Sequence, residues 1–398
     1  MATKAIIKPE LLAWTRSRAK VTVADAAKAA NVEVSDLERW EAGRDAPSLS
    51  QLRCLAAKYH FPLAVFYLPE PPADFAPLRD FRRLPDAQDG SISPNLAFHI
   101  RTAYERRELA LELHDDLRDT VRGFTLKAKL TDDPEAVGQS IRRFLDVDAA
   151  AQRNAASQGR AFDFWRRKLE NHGILVFVIS GPHYSVDLEE MRGFALAKDV
   201  LPVIVVNGRD YSPGGKCFTL FHELTHVMLG ESAISNGTDF TATSEEQRIE
   251  RFCDAVAAAA LMPRGLVLAF PDTEPAGIRT WNDDQLRPIA RAFGVSREAL
   301  LLRLVALNRA TWAFYRAQRA RFQEEYRTAA AEERISEKKA KPIRRSIMLM
   351  SWNGRGYTRL VLRSYYDQRI TLNDVSSYLG AKVKHIPALE RAAFQPAE

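Results

Sequence analysis

The sequence predicts a mainly α-helical protein with one small β-sheet, an α+β chain built in three parts. Long stretches of the 398 residues show apolar positions at three- and four-residue spacing, which is typical of amphipathic helices. Short β-branched or apolar runs of strand character occur only near the middle of the chain, at residues 173–180, 193–196 and 201–210. A Pro/Ala-rich stretch at residues 68–78 predicts a boundary. The predicted domains are residues 1–72, 73–300 and 301–398.

Composition indicates a cytoplasmic protein. Hydrophobic residues make up 46% of the chain, but no apolar run approaches the roughly 18 residues of a membrane helix. The N-terminus lacks the charged, apolar, small-residue order of a signal peptide. The cysteines Cys54, Cys217 and Cys253 are odd in number and far apart, which argues against disulfides and for a reducing compartment.

The net charge of +6 is distributed unevenly along the chain. Residues 1–72 carry a net charge of +2, residues 73–300 a net charge of −6, and residues 301–398 a net charge of +10. An acidic centre followed by a basic tail suggests that different parts of the chain meet different partners.

The N-terminal domain shows a pattern of short helices that cross closely. Ala26, Ala27 and Ala30 suit a tight crossing, and the turn "NVEVS" leads into a helix that we expect Ser35 to cap. Residues 10–70 resemble the XRE/Cro-like helix-turn-helix class, which implies a five-helix domain. The resemblance rests on Trp40, Glu41, Gly43, Pro47, Ser48, Leu52, Leu55 and Ala56.

DNA contact by this domain is one of two open interpretations. In this class the second helix of the motif places its N-terminal residues in the major groove of double-stranded DNA. The candidate DNA contacts are Lys28, Ser35, Arg39, Arg44 and Arg53. Acidic residues in the same region oppose contact with phosphates, because Lys and Arg supply much of the affinity; they are Glu33, Asp36, Glu38 and Glu41. The alternative is a module for interaction with another protein or for dimerisation, and in the second case the chain would form a homodimer.

The central domain contains a pattern typical of a catalytic metal site, "CFTLFHELTHVMLG" at residues 217–230. In a helix, His222 and His226 share one face a turn apart, so both imidazoles can bind one ion. Glu223 lies beside them, placed to meet a water at that ion; this is the HExxH arrangement. The alternative is a buried amphipathic helix whose two histidines bind no metal.

A third ligand decides between these alternatives, since catalytic zinc sites use three protein ligands and a water. The longer HExxHxxGxxH motif is absent, because Ser232 stands at its last ligand position. A following helix, predicted to begin at a Ser244 cap, offers Glu246 and Glu250 near its apolar stripe. We predict Glu250 as the ligand, and Asp254 as the partner of a histidine N–H group.

"FTLFHELTHVML" followed by "IERFCDAVAAAALMP" resembles the ImmA/IrrE family of bacterial and phage zinc metallopeptidases. The upstream strand-like runs follow that family's pattern too, so the resemblance covers residues 150–265, after a helical lead-in at residues 91–150. It implies a zincin-like domain of the gluzincin type, with Glu223 as the catalytic base. The implied Zn²⁺ ligands are His222, His226 and Glu250. The chain departs from the family at Asp254, where Asn is usual, and at Ala259–Ala260.

The implied reaction is peptide hydrolysis, in which Glu223 takes a proton from a water at the zinc ion. A further donor to the oxyanion is expected, and the candidates are Tyr184, His183, Tyr211 and Arg248. Cys217 and Cys253 lie near the motif, and we interpret both as buried packing residues.

The basic tail after residue 300 mixes Arg and Lys with Trp352, Tyr357, Tyr365 and Tyr366. Such interleaving can mean nucleic-acid contact, but we favour a helical cap whose aromatic residues lie in a core. The tail resembles the C-terminal helical extension of long members of the same fused family, where sensing and oligomerisation are both open roles.

The sequence thus predicts a zinc-dependent endopeptidase fused to a helix-turn-helix domain, acting in transcription or stress regulation by cleaving a repressor or antitoxin protein. One alternative is a DNA-binding regulator whose zinc domain is only a sensor or scaffold, and another is a component of a toxin–antitoxin locus. Mn²⁺ and Fe²⁺ also suit the predicted ligand set.

Overall fold

Helices dominate the chain, as predicted, and one small sheet lies in its middle part. The computed structural model describes residues 4–71, 79–80, 92–179, 184–235, 245–273, 277–339 and 345–394. Two compact units are present. The first combines residues 1–77 with 84–105, and the second combines residues 78–83 with 106–398. The tail after residue 300 therefore belongs to the same unit as the central residues.

Four α-helices and one 3-10 helix build the first unit up to residue 67. They are α1 (Pro9–Arg18), α2 (Val23–Ala30), α3 (Val34–Glu41), α4 (Leu49–Tyr59) and the 3-10 helix Leu63–Tyr67. Ala26, Ala27 and Ala30 are buried in their shared core, as the alanine pattern predicts. The predicted Ser35 cap is wrong. Helix α3 already includes Val34, so Glu33 takes the N-cap position, where its N–H donates to the Asp36 carboxylate at 3.3 Å.

The remaining helices follow in chain order, and α5 contributes residues to both units. They are α5 (Pro94–Asp116), α6 (Pro134–Phe144), α7 (Ala149–Ser157), α8 (Ala161–Asn171), α9 (Pro213–Leu229), α10 (Glu245–Leu261), α11 (Arg264–Leu268), α12 (Asp283–Phe293), α13 (Arg297–Ala306), α14 (Trp312–Lys339), α15 (Arg345–Asn353), α16 (Arg355–Tyr366), α17 (Leu372–Tyr378), the 3-10 helix Val383–His385 and α18 (Ile386–Phe394). The predicted boundary at residue 300 falls inside α13. Within the described residues, no helix combines the length and apolar character needed to cross a membrane.

The sheet has five strands, which are β1 (Arg79–Asp80), β2 (Leu175–Ile179), β3 (Gly193–Leu196), β4 (Val203–Asn207) and β5 (Ala233–Ser235). Their order is β1-β5-β3-β4-β2. β2 pairs parallel with β4, β3 pairs antiparallel with both β4 and β5, and β1 pairs parallel with β5. The three predicted runs form β2, β3 and β4. β1 and β5 are not predicted, because two or three residues show no periodicity.

Helix α9 lies at the centre of the second unit. It contacts β3 and β4 on one side, and α8 and α10 on others. Trp165 of α8 packs edge-on against Phe221 of α9, with ring centroids 4.8 Å apart. Helix α10 also crosses α6 very closely, since a Cβ atom on Gly138 would lie 2.8 Å from both Ala259 and Ala260. Ala259 and Ala260 of α10 therefore leave room for the backbone of α6.

The C-terminal helices dock on the sheet and on α8. Helix α15 contacts β2, and α16 contacts α8. Tyr357 is buried, and its ring packs edge-on against Phe177 of β2 with centroids 5.5 Å apart. Tyr366, by contrast, is 53% exposed. The interpretation of the tail aromatics as core residues therefore holds for Tyr357 and is wrong for Tyr366.

Candidate metal centre

Local sequence signals define both ends of α9. The Ser212 hydroxyl accepts a hydrogen bond from the Gly215 N–H at 3.1 Å, and Pro213 occupies the first turn, where a missing N–H costs nothing. At the other end Gly230 adopts a left-handed conformation with φ of 77°, which is typical of a glycine that ends a helix. Every residue from Thr219 to Met228 is buried, so this part of the helix is packed on all sides.

Three potential ligand groups converge between α9 and α10. His222 Nε2 lies 3.1 Å from His226 Nε2. The carboxylate of Glu250 reaches both rings, with Oε1 at 3.0 Å from His226 Nε2 and Oε2 at 3.3 Å from His222 Nε2. Ligand atoms held about 2.0–2.1 Å from a tetrahedral zinc ion lie about 3.3 Å from one another. The spacing of these atoms therefore fits a single ion of that size.

Asp254, one turn beyond Glu250 on α10, holds the second nitrogen of His222. Its Oδ1 atom lies 2.8 Å from His222 Nδ1. Because an ionised carboxylate can only accept, this contact holds a ring proton on Nδ1, so Nε2 is the nitrogen that would bind an ion once it has released its own proton. A carboxylate behind a histidine is the usual way in which proteins orient a metal ligand.

The electrostatics of the cluster favour a cation. Burial by itself raises the pKa of Glu250, but the two imidazoles outweigh burial and lower this pKa to about 2. Burial lowers the pKa of His222, yet the Glu250 and Asp254 carboxylates together raise it well above its ordinary value. Burial lowers the pKa of His226, whose ring is fully buried. An anionic carboxylate thus faces two imidazole nitrogens in a buried site.

Glu223 lies on the neighbouring face of α9 and is fully buried. Its side chain packs against the backbone of β3 at Gly193. Gly193 is not among the residues predicted for the site, although an isolated glycine at the start of a strand-like run is a signal of close backbone approach.

Cys253 is a second buried neighbour of the two histidines. Its sulfur and their ring nitrogens lie within 4.8 Å of one another, whereas the Glu250 oxygens approach those nitrogens to 3.0 and 3.3 Å. A metal-binding cysteine must be a thiolate. Burial, with the nearby carboxylates, raises the pKa of the Cys253 thiol well above its ordinary value. Glu250, whose oxygens lie closer to the two ring nitrogens, is therefore the better-placed donor. Cys217 is likewise buried, and burial raises its pKa to about 12.

The remaining predicted residues differ in exposure and in the partners that they contact. Glu246 and Arg248 are exposed on α10. Tyr184 is 42% exposed. Tyr211 stacks on Tyr326 of α14, with ring centroids 4.6 Å apart. Of the other predicted residues near this site, His183 and Ser244 lie outside the described residues.

The predicted DNA contacts all lie on the surface of the first unit; they are Lys28, Ser35, Arg39, Arg44 and Arg53. Arg39 forms an ion pair with Asp36 within α3. Glu41 is half-buried and receives two hydrogen bonds from Arg16, at 2.7 and 2.9 Å. Two of the acidic residues are therefore neutralised by arginines, while Glu33 and Glu38 remain exposed.

Comparison with known families agrees with this architecture. Residues 169–305 match the family model of the IrrE N-terminal-like domain, which is a peptidase family. Residues 10–65 match the model of a helix-turn-helix domain. No curated protein and no solved structure gave a significant match. The first match spans both α9 and α10, and the second spans α1 to α4. Two regions of the chain are thus similar to known domains, residues 10–65 to a helix-turn-helix domain and residues 169–305 to the IrrE N-terminal-like domain of a peptidase family, in the order that the sequence resemblance implied.

Proposed function

We propose that the protein is a zinc-dependent endopeptidase. The observation that carries the proposal is the mutual spacing of 3.0–3.3 Å among two imidazole nitrogens and one carboxylate, next to a buried glutamate. His222, His226 and Glu250 would hold the ion, and Asp254 would orient His222. A set of two histidines and one glutamate is an established donor set for catalytic zinc.

The ion would polarise the scissile carbonyl and lower the pKa of water from 15.7 towards about 7. Glu223 takes the proton from the attacking water and passes it to the amine that leaves. Helix α9 carries this base and two of the proposed ligands, so one buried helix sets their mutual positions. Asp254 would hold a proton on Nδ1 of His222, so that Nε2 is the nitrogen that binds the ion.

The proposed substrate is a protein of the repressor or antitoxin type. Support comes from the fused helix-turn-helix domain, because it joins the peptidase to a module that recurs in gene regulation. A role in transcription or the stress response, and a cytoplasmic location, follow as parts of the same proposal. Zinc is proposed over Mn²⁺ or Fe²⁺ because imidazole-rich sites of this geometry suit it.

Replacement of Glu223 by Gln tests the proposal. We expect purified wild-type protein to bind one zinc ion, measured by mass spectrometry of metals, and to cleave a protein substrate. Glu223→Gln should keep the ion but lose about 10²–10⁴-fold in kcat, the usual contribution of a general base. His226→Ala is the control that should lose the ion as well. If Glu223→Gln cleaves as fast as the wild type, the zinc domain is a sensor or scaffold.

A second proposed activity is binding of double-stranded DNA by the N-terminal domain. The exposed positions of Lys28, Arg44 and Arg53, with α3 between them in sequence, favour it. Neutralising a phosphate contact should weaken binding on all sequences and reduce its salt dependence. The test selects binders from a random DNA pool with wild type and with Lys28→Ala/Arg53→Ala. Equal retention by both would favour a protein partner or a homodimer instead.

A further inference from the structure

A glycine forms the contact between the sheet and the buried glutamate of the metal centre. A Cβ atom built on Gly193, the first residue of β3, would lie 2.8 Å from Glu223 Oε1 and 2.9 Å from Glu223 Cγ. It would also lie 2.6 Å from the Thr219 Cγ2 methyl. Ordinary van der Waals contact begins at about 3.4 Å, so no side chain fits at this position in the present arrangement.

Backbone conformation does not explain the glycine. Gly193 is absent from the positions with positive φ in the described residues, so an L-residue could adopt its backbone angles. A glycine inside a strand weakens the strand, because it loses more chain entropy on folding and has no side chain to pack. The space against α9 is therefore the reason why position 193 excludes a side chain.

Neither the backbone of β3 nor that of α9 has room to withdraw from this contact. The strand is central, since Gly193 pairs with Val206 on one side and with Ser235 on the other. Helix α9 is buried along its middle turns between the sheet, α8 and α10. Of the groups in the contact, the Glu223 carboxylate is the end of a flexible side chain and can rotate away. A side chain at residue 193 would therefore move the carboxylate first.

Thr219 and Glu223 are four residues apart, so they lie on one face of α9, and that face meets β3. His222 and His226, also four apart, lie on the adjacent face, which meets α10. The backbone of β3 thus limits one side of the Glu223 carboxylate, and the ligand cluster lies on the adjacent face of α9.

We propose that Gly193 is a positioning residue for the Glu223 base. The absence of a side chain at residue 193 leaves room for the Glu223 side chain in its present orientation, and an added Cβ atom would force the carboxylate out of it. This inference rests on the proposed peptidase function for its effect on rate. It assigns no role in metal binding to Gly193.

The test compares Gly193→Ala with Gly265→Ala. Gly265 lies in α11, where an added Cβ would meet nothing within 4 Å, so the control adds the same methyl group without a clash. A third variant combines Gly193→Ala with Thr219→Ser, which removes the methyl at 2.6 Å but leaves Glu223 crowded. The measurements are the melting temperature, zinc affinity by chelator competition, kcat and KM, and a crystal structure of the zinc-loaded Gly193→Ala protein.

We expect Gly193→Ala to bind zinc as tightly as Gly265→Ala does, with KM unchanged and kcat reduced about 10²-fold, the usual loss from a misplacement near 1 Å. The Thr219→Ser addition should restore the melting temperature but not kcat. The crystal structure should show the Glu223 carboxylate rotated away from residue 193.

Three outcomes would overturn the inference. They are a rotamer of Glu223 that is unmoved in the crystal structure, loss of zinc affinity together with kcat, and recovery of kcat by Thr219→Ser. The last two would mean that the effect passes through displacement of α9. If the wild type cleaves nothing, the proposed function fails, and the crystal structure still decides whether residue 193 sets the position of Glu223.

Discussion

Replacement of Glu170 by Ala should release the C-terminal helices from the sheet. Glu170 of α8 is buried, and its Oε1 accepts a hydrogen bond from Arg166 Nε at 3.0 Å. Its Oε2 accepts from the backbone N–H groups of Arg355 and Gly356, both at 3.2 Å, at the start of α16. Arg166 donates in turn to the Ser351 carbonyl of α15 at 2.5 Å. One carboxylate thus neutralises a buried cation and satisfies a helix N-terminus.

The expected loss of stability follows from the burial of both Arg166 and Glu170, whose side chains are 6% and 5% exposed. Removing one member of a buried ion pair costs about 3–5 kcal/mol, because the other charge is left without compensation. At about 2–4 °C per kcal/mol, the melting temperature should fall by roughly 6–20 °C. In limited proteolysis of Glu170→Ala, we expect residues 345–394 to be cut first.

Arg363→Ala is the matched control, because it also breaks an ion pair that α16 makes with the rest of the same unit. Arg363 Nη1 lies 2.8 Å from Asp119 Oδ2, but the arginine side chain is 52% exposed. Such exposed pairs contribute about 0–1 kcal/mol, so the melting temperature should barely change. If calorimetry shows equal shifts in melting temperature for Glu170→Ala and Arg363→Ala, burial is not the reason why the Arg166–Glu170 pair stabilises the protein.

Two further predictions concern single carboxylates. Asp254→Ala removes the acceptor of the His222 Nδ1 proton, and we expect the zinc dissociation constant to rise about 10–100-fold in chelator competition; an unchanged constant would mean that Asp254 does not orient the ring. For Glu298, burial raises the pKa, so its folded pKa exceeds the unfolded value and stability falls as pH rises from about 4.3 towards the folded pKa. The melting temperature of Glu298→Gln should therefore exceed that of the wild type as the pH rises above about 4.3, and the two should be equal at lower pH. A difference that stays constant with pH would contradict this.

Most of the fold could be predicted because long elements repeat their pattern. The helices over residues 91–172 and the strands β2 and β4 carry continuous apolar signals, since each is buried along a whole face or on both faces. β1 and β5 could not be predicted, because their pairing depends on which edge the folded sheet leaves open. The sequence predicts the tail after residue 300 as a separate domain. How the tail docks depends on a buried charge cluster in which Glu170 and Arg355 are 185 residues apart, and such a contact leaves no local pattern in the sequence.

The sequence by itself determined the chemistry of the candidate site. Helical periodicity places His222 and His226 on one face whatever surrounds them, and the apolar stripe of α10 selects Glu250 over Glu246. Only the tertiary structure decided how these groups meet, because distances between α9 and α10 depend on packing and not on spacing within either helix. The same holds for Gly193, whose missing side chain matters only because a folded strand lies against Glu223.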